Sequence, residues 1–194
     1  MPRVALFGGS FNPPHVAHQL VALYVLETQA VDALWFVPTF VHPFGKPLAP
    51  YEDRIAMCEL AAAALGPRVA ISRAEHDLAR RPEFVASRTF DLVELLRARH
   101  PEHAFRLVIG ADILRETDKW YRWADLTALA PPLVIGRGGY AFHGAPAAGT
   151  ETGVVMPEIS ATHVRELVAD HDPRAAALLP HGILRYIADR GLYL

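Results

Sequence analysis

The chain has 194 residues, close to the usual size of one domain, so we expect a single domain that spans residues 1–194. Its 52% hydrophobic and 21% charged residues exclude a disordered chain, and its single cysteine excludes a disulfide scaffold. Nineteen Lys and Arg against 21 Asp and Glu leave a net charge of -2, too balanced for a protein that coats nucleic acid. Any phosphate ligand must therefore be bound by a few local groups.

The cysteine and the apolar runs indicate a cytoplasmic protein without membrane partners. Cys58 lies in an alanine-rich stretch, where a buried thiol is expected rather than a nucleophile. The apolar run near Met1 is too short for a signal peptide. No apolar run reaches the ~18 residues that a membrane span needs.

Short apolar runs alternate with helical patterns along the chain. Strands are predicted at residues 3–7, 33–37, 105–109, 133–135 and 153–155, and helices at 15–27, 51–65, 87–99, 162–169 and 180–189. This alternation is typical of parallel strands joined by helical crossovers. We therefore predict an α/β fold, a doubly wound, Rossmann-like parallel sheet with helices on both faces. Ligands of such sheets bind beyond the carboxyl ends of the strands.

The segment after the first strand combines groups that bind phosphate. Gly8 and Gly9 let a ligand approach the backbone amides, and the two prolines that follow suit the start of a helix. A strand, a glycine turn and a helix N-terminus together form an anion site. His15 and His18 lie one helical turn apart, so both imidazoles can donate hydrogen bonds to the phosphoryl oxygens of one ligand.

Two other interpretations of this segment are disfavoured. A zinc site would need a His-Glu-x-x-His arrangement or a clear third ligand, which the sequence lacks, so we predict no metal held by protein ligands. A dinucleotide-binding dehydrogenase would need G-x-G-x-x-G and an acidic residue after the second strand, which instead ends Phe36-Val-Pro-Thr.

The run Gly-Gly-Ser-Phe-Asn-Pro-Pro-His-Val-Ala-His, from Gly8 to His18, resembles the nucleotidyltransferase signature of bacterial nicotinate mononucleotide adenylyltransferases. A second run, Ile159-Ser-Ala-Thr-His-Val-Arg165, resembles the family signature Ile-Ser-Ser-Thr-x-Ile-Arg, with Ala161 in place of the second serine. From the residues alone, Ser160 or Thr162 is expected to cap a helix whose free amides can bind an anion. The resemblance implies that this helix end binds the triphosphate of ATP.

Three middle segments resemble the parts that distinguish the nicotinate enzyme from its relatives. They are Ser87-Arg-Thr89, Gly110-Ala-Asp112 and Trp120-Tyr121. The resemblance implies that Trp120 lies over the pyridine ring, that the Tyr121 amide meets its carboxylate and that Asp112 contacts a ribose. Helix capping is the alternative for Ser87, Thr89 and Asp112, and core packing is the alternative for the aromatic residues.

Two cations correspond to phosphate-binding positions of the family. Lys46 follows a stretch in which Phe44 and Gly45 stand where relatives carry proline and histidine, and His42 is a candidate substitute for that histidine. Arg137 follows the fifth strand, similar in place to a family arginine near the mononucleotide phosphate, with a solvated loop arginine as the alternative. The glycine-rich residues after it predict a loop that closes over ligand.

The resemblance implies transfer of AMP from ATP to nicotinate mononucleotide, which yields deamido-NAD and pyrophosphate. The acceptor's own phosphate attacks the α-phosphorus, so catalysis consists of positioning and charge stabilisation. His18 is expected to stabilise the α-phosphoryl group, and His15 to assist along the triphosphate. Lys46 and Arg165 are expected to hold the leaving pyrophosphate. Mg²⁺ is expected to be carried mainly by ATP.

The predicted site consists of two overlapping sets of residues. The ATP-binding set is Gly8, Gly9, Ser10, Phe11, His15, His18, Gly110, Asp112, Ile159, Ser160, Thr162 and Arg165. The nicotinate mononucleotide-binding set is Ser10, Asn12, Lys46, Thr89, Trp120, Tyr121 and Arg137. Nicotinamide mononucleotide or phosphopantetheine as the acceptor, and a non-catalytic nucleotide-binding regulator, are the alternatives. The sequence leaves open whether the chain forms a homo-oligomer.

Overall fold

The structure is a computed structural model that describes residues 1–41, 45–82, 84, 87–137 and 149–194. The strands in these ranges are β1 (Arg3–Gly9), β2 (Ala33–Pro38), β3 (Val69–Ile71), β4 (Ala104–Gly110), β5 (Pro132–Arg137) and β6 (Thr150–Met156). The helices are α1 (Val16–Thr28), α2 (Tyr51–Ala63), α3 (Ala74–Ala79), α4 (Thr89–Arg99), α5 (Trp123–Leu129), α6 (Ala161–Ala169), α7 (Ala175–Leu178) and α8 (Ile183–Arg190). A 3₁₀ helix, Ala111–Lys119, connects β4 to α5.

The strands form one parallel sheet in the order β3-β2-β1-β4-β5-β6. The central strand β1 pairs with β2 on one side and β4 on the other, so that Val4 lies opposite both Ala33 and Phe105. The order of the strands reverses between β1 and β4, which opens a crevice at their carboxyl ends. The predicted Rossmann-like sheet is confirmed.

Helices cover both faces of this sheet. Ala5 of β1 packs in a cluster with residues of α1, whereas its neighbours Val4 and Leu6 pack in a second cluster with residues of α4. Successive side chains of a strand point to opposite faces, so a strand buried on both faces reads as a continuous apolar run. None of the described helices is long and apolar enough to cross a membrane.

Helix α2 joins the sheet to the C-terminal helices. Cys58 is fully buried in the cluster on the α1 face, and burial raises the pKa of its thiol. The prediction of a buried thiol is confirmed. On another side of the same helix, Met57 packs with Val164 of α6 and Ile183 of α8.

Some elements differ from those predicted. The short strand β3 and helix α3 were not predicted, and the helix expected from Ser87 begins at Thr89, with Arg88 at its N-cap. Ser87 lies one residue before the N-cap and does not cap this helix, and its hydroxyl donates a hydrogen bond to Glu75.

Arg54 of α2 anchors the segment that follows β1. Its side chain is 1% exposed. Nη1 donates to the Ser10 carbonyl at 2.9 Å, and Nε donates to the Ala49 carbonyl at 3.0 Å. Burial lowers the pKa of this guanidinium, because the charged form loses its hydration. The hydrogen bonds to carbonyl oxygens compensate for that loss.

We expect Arg54→Ala to lower the free energy of unfolding by about 2–4 kcal/mol, because two carbonyl groups lose their donor inside the protein. Urea denaturation followed by circular dichroism measures the change. Arg185→Ala is the control, since that side chain is 88% exposed and its ion pair with Asp189 spans 3.6 Å. The control should change stability by less than about 0.5 kcal/mol. Wild-type stability of Arg54→Ala would contradict the anchoring role.

Candidate active site

A cavity of about 470 Å³ lies at the carboxyl ends of β1, β2 and β4. Its volume is in the range of small-molecule sites. Ten residues predicted from the sequence line it: Gly8, Gly9, Ser10, His15, His18, Lys46, Thr89, Gly110, Asp112 and Trp120. The crevice at the reversal of strand order is therefore where these predicted groups come together.

The two histidine rings form a close, tilted pair at the start of α1. His15 is the N-cap residue and His18 lies in the first turn, with ring centroids 3.8 Å apart and planes inclined by 33°. The backbone N–H of His15 donates to Nδ1 of His18 at 3.0 Å. Because Nδ1 accepts this hydrogen bond, the neutral His18 ring carries its proton on Nε2. His18 therefore offers Nε2 as a hydrogen-bond donor.

Phe11 supports the His18 ring from within the protein. Its side chain is 2% exposed, and its ring centroid lies 5.0 Å from that of His18. A Cβ on Gly9 would lie 3.2 Å from Cζ of Phe11, so a larger residue there would require the Phe11 ring to shift by a few tenths of an ångström. A Cβ on Gly8 would meet nothing within 4 Å. Because the Phe11 ring is buried, the predicted contact of Phe11 with ATP would be made by its backbone.

The Asn12 side chain points into the protein and does not line the cavity. It is 5% exposed, and its Oδ1 accepts from the Ala49 N–H and from the Tyr193 hydroxyl, both at 2.9 Å. Its Nδ2 donates to the Pro47 carbonyl at 3.4 Å. Both polar atoms of the side chain are thus hydrogen-bonded within the protein, which gives Asn12 a structural role, and its contact with the mononucleotide stays a prediction.

The N-terminus of α6 lies just outside the cavity lining. Ser160 caps this helix, because its Oγ accepts from the His163 N–H at 3.1 Å, as predicted. Arg165 donates to the Asn12 carbonyl at 2.8 Å and to Thr162 Oγ1 at 3.2 Å. The cavity lining does not include four residues of this region that were predicted to bind ATP: Ile159, Ser160, Thr162 and Arg165.

Aromatic residues lie at the far end of the cavity, near the start of α4. Trp120 follows the 3₁₀ helix and lines the cavity, and its ring packs edge-on against Trp123 with centroids 5.6 Å apart. Tyr121 is 47% exposed and does not line the cavity. Its ring lies 4.3 Å beneath the Arg88 guanidinium carbon. The structure thus brings Trp120 into the site, whereas the Tyr121 side chain packs outside it.

Glu75 is a cavity residue that the sequence analysis missed. Its side chain is 6% exposed, and its Oε2 accepts from the Ser87 hydroxyl at 2.6 Å. The Phe40 N–H also donates to this carboxylate. Burial raises the pKa of Glu75, although both hydrogen bonds act to lower it. Glu75 follows β3 closely, so a prediction of that three-residue strand would have pointed to this position.

The other predicted residues lie at the mouth of the cavity, at the end of β5 or outside the described residues. Lys46 is exposed at the mouth of the cavity. Arg137 is the last residue of β5. The predicted closing loop at 138–148 lies outside the described residues, as do His42 and Phe44.

The chain is similar to known proteins along its full length. A cytidylyltransferase-like family model matches residues 6–167. The nicotinate-nucleotide adenylyltransferase of Bacillus subtilis (strain 168) is 30% identical over 193 residues, which cover 100% of this chain and 99% of that one. The probable nicotinate-nucleotide adenylyltransferase of Anaeromyxobacter sp. (strain K) is 48% identical over 192 residues, 98% of this chain and 96% of that one. The chain belongs to the nicotinate-nucleotide adenylyltransferase family.

The relatives confirm both the family and the enzyme class that were predicted from the two motifs. A solved structure of the Plasmodium falciparum nicotinic acid mononucleotide adenylyltransferase complexed with NaAD matches with a TM-score of 0.80 at 16% identity. The match covers 100% of this chain and 98% of that one. At this identity the likeness concerns the fold, and it agrees with the predicted α/β architecture.

We expect Asn12→Ala to lower the free energy of unfolding by about 2 kcal/mol, because the Ala49 N–H and the Tyr193 hydroxyl lose their acceptor. Tyr193→Phe removes one hydroxyl from the same network and should lower it by about 1 kcal/mol. Urea denaturation of both variants beside the wild type measures these changes. If Asn12→Ala kept full stability but bound mononucleotide weakly, the structural assignment of Asn12 would be wrong.

Proposed function

We propose that this chain transfers AMP from ATP to nicotinate mononucleotide, giving deamido-NAD and pyrophosphate. The observation that carries the proposal is the close, tilted pair of His15 and His18 at a glycine turn and a helix start, inside a cavity that Trp120 also lines. Full-length relatives named for this activity support it, as does the structural neighbour complexed with NaAD. We place the reaction in the cytoplasm, because this reducing compartment keeps a single unpaired cysteine as a thiol. Nucleic acid and membranes are not proposed partners.

The chemical step uses no protein nucleophile. A phosphate oxygen of the mononucleotide attacks the α-phosphorus of ATP, the bond from that phosphorus to the bridging oxygen breaks, and pyrophosphate leaves. Nε2–H of His18 donates to the α-phosphoryl oxygens as negative charge develops on them. The hydrogen bond from the His15 N–H to Nδ1 holds the ring in that orientation beforehand. His15 assists along the triphosphate.

Cations and donors around the histidines bind the rest of ATP. The open space at Gly8 admits the triphosphate close to the backbone. Lys46, exposed at the mouth of the cavity, and Arg165 hold the leaving pyrophosphate. The Arg165 hydrogen bonds to Asn12 and Thr162 occupy two of its five N–H donors. Gly110 and Asp112 belong to the ATP-binding set, with Asp112 toward a ribose.

The mononucleotide occupies the opposite end of the cavity. The pyridine ring stacks on Trp120, and the Thr89 hydroxyl and the Tyr121 amide meet its carboxylate. Thr89 and Trp120 both line the cavity, which supports this orientation of the ligand. Arg137, at the end of β5, is assigned to the mononucleotide phosphate.

Magnesium enters as its complex with ATP. Among the described residues, the carboxylates that line the cavity are Glu75 and Asp112. Glu75 already accepts from Ser87 and Phe40, so the site offers too few carboxylates for an octahedral cage made by protein alone. The phosphate oxygens and water are therefore assigned as the ligands of Mg²⁺. A group of candidate ligands, His100, Glu102 and His103, lies before β4, at the other end of that strand from the cavity.

The first test measures pyrophosphate release from ATP and Mg²⁺ with three acceptors in parallel. We expect release with nicotinate mononucleotide and little with nicotinamide mononucleotide or phosphopantetheine. Release with one of the other acceptors would keep the chemistry and move the substrate assignment. If no acceptor supported release, the chain would be a nucleotide-binding protein without this activity.

The second test replaces the proposed stabiliser of the α-phosphoryl group. We expect His18→Ala to lower kcat on the order of 100-fold or more, because one preorganised donor to the developing charge is lost. His181→Ala is the matched control, since His181 is exposed and lies outside the cavity lining. Circular dichroism and a melting curve verify that both variants fold. Near-normal turnover of folded His18→Ala would refute the assignment.

A further inference from the structure

Glu75 connects two walls of the cavity. The Phe40 N–H donates to its carboxylate from the segment after β2, and the Ser87 hydroxyl donates at 2.6 Å from the segment before α4. The cavity lining includes Ser87 itself, Thr89 beyond it and Thr39, the residue before Phe40. The carboxyl of Glu75 therefore links these two walls.

The helix that carries Glu75 is held in place from outside the cavity. Nη1 and Nη2 of Arg73, the N-cap residue of α3, donate to the two carboxylate oxygens of Glu52 on α2, at 2.7 and 2.8 Å. The Phe40 ring packs edge-on against the His76 ring, with centroids 5.0 Å apart. Because α2 and the segment after β2 both fix α3, the carboxyl has a defined position before ligand binds.

Burial of the Glu75 carboxyl is energetically unfavourable, so its presence in the cavity wall indicates a specific role. Burial raises the pKa of Glu75, which reflects the loss of hydration of its charged form. An apolar side chain of similar size would avoid this loss, but it would leave the Ser87 hydroxyl and the Phe40 N–H without an acceptor. Buried ionisable groups that line a cavity are typical of functional sites.

We propose that Glu75 is a positioning residue for the pyridine mononucleotide: its carboxyl holds the segment after β2 and the start of α4 at a fixed separation. Thr39 on the first segment and Thr89 on the second then face one bound ligand. The inference rests on the proposed function. Glu75 acts through its neighbours and touches no reacting atom. Its loss therefore weakens mononucleotide binding and leaves the histidine pair in place.

The test compares steady-state kinetics of Glu75→Ala and Glu75→Gln, with each substrate varied at saturation of the other. In Glu75→Ala we expect KM for nicotinate mononucleotide to rise about tenfold or more, with KM for ATP and kcat within about twofold of wild type. In Glu75→Gln the amide oxygen can accept from Phe40 and the amide NH₂ can donate to Ser87. That variant should stay within about threefold of wild type, because both contacts survive without the charge.

Two further variants complete the design. Ser87→Ala removes one of the two contacts and should raise the same KM by about threefold or more. Glu59→Ala is the matched control, because Glu59 is exposed on α2 and lies outside the cavity lining. It should leave both KM values unchanged.

The outcomes separate positioning from general stability. Equal changes in both KM values, a fall in kcat alone, or a Glu75→Gln variant as impaired as Glu75→Ala would overturn the proposal. If Glu75→Ala fails to fold, Ser87→Ala decides, and a wild-type KM for the mononucleotide in that variant would overturn it. Failure of the wild type to use nicotinate mononucleotide would refute the proposed function instead, and it is seen before any variant is compared.

Discussion

The turn between β1 and α1 is fixed by side chains from distant parts of the sequence. Arg54 donates to the Ser10 carbonyl across 44 residues, Arg165 donates to the Asn12 carbonyl across 153, and Tyr193 donates to the Asn12 side chain across 181. These carbonyl groups lie between a strand and a helix, where regular backbone partners are missing, so side chains satisfy them. The N-terminal end of α1 therefore takes its shape only when α2, α6 and the C-terminus have packed around it.

This arrangement shows how a protein with a net charge of -2 concentrates positive charge at the proposed ATP site. Arg54 and Arg165 bring positive charge to the backbone beside the histidine pair, and Lys46 adds a cation at the mouth of the cavity. The His18 ring is braced by Phe11 and oriented by the His15 N–H. Donors that are already oriented need no reorganisation when charge develops, so local geometry replaces overall charge as the source of affinity.

The sequence predicted those features whose residues lie close together along the chain, and it missed those that depend on contacts between distant residues. The histidine pair was predictable because one helical turn places His15 and His18 together whatever the rest of the chain does. Alternating apolar runs likewise predicted the sheet. The structural role of Asn12 was not predictable, because its partners Ala49 and Tyr193 come together only in the folded chain. Glu75 was missed because β3 has only three residues and gives almost no periodic signal.

The contacts of Glu75 also bear on how a site of this kind distinguishes an acid from an amide. An ionised carboxyl would repel an anionic ligand nearby, and burial opposes its ionisation by raising its pKa. Its hydrogen bonds engage the Ser87 hydroxyl and the Phe40 N–H, which removes two donors from competition for the ligand. In the proposed complex the Thr89 hydroxyl, two residues beyond Ser87 and in the cavity wall, is a side-chain donor for the pyridine carboxylate. Selectivity on this view comes from committing some donors to the protein, so that few remain for the ligand and their direction is fixed.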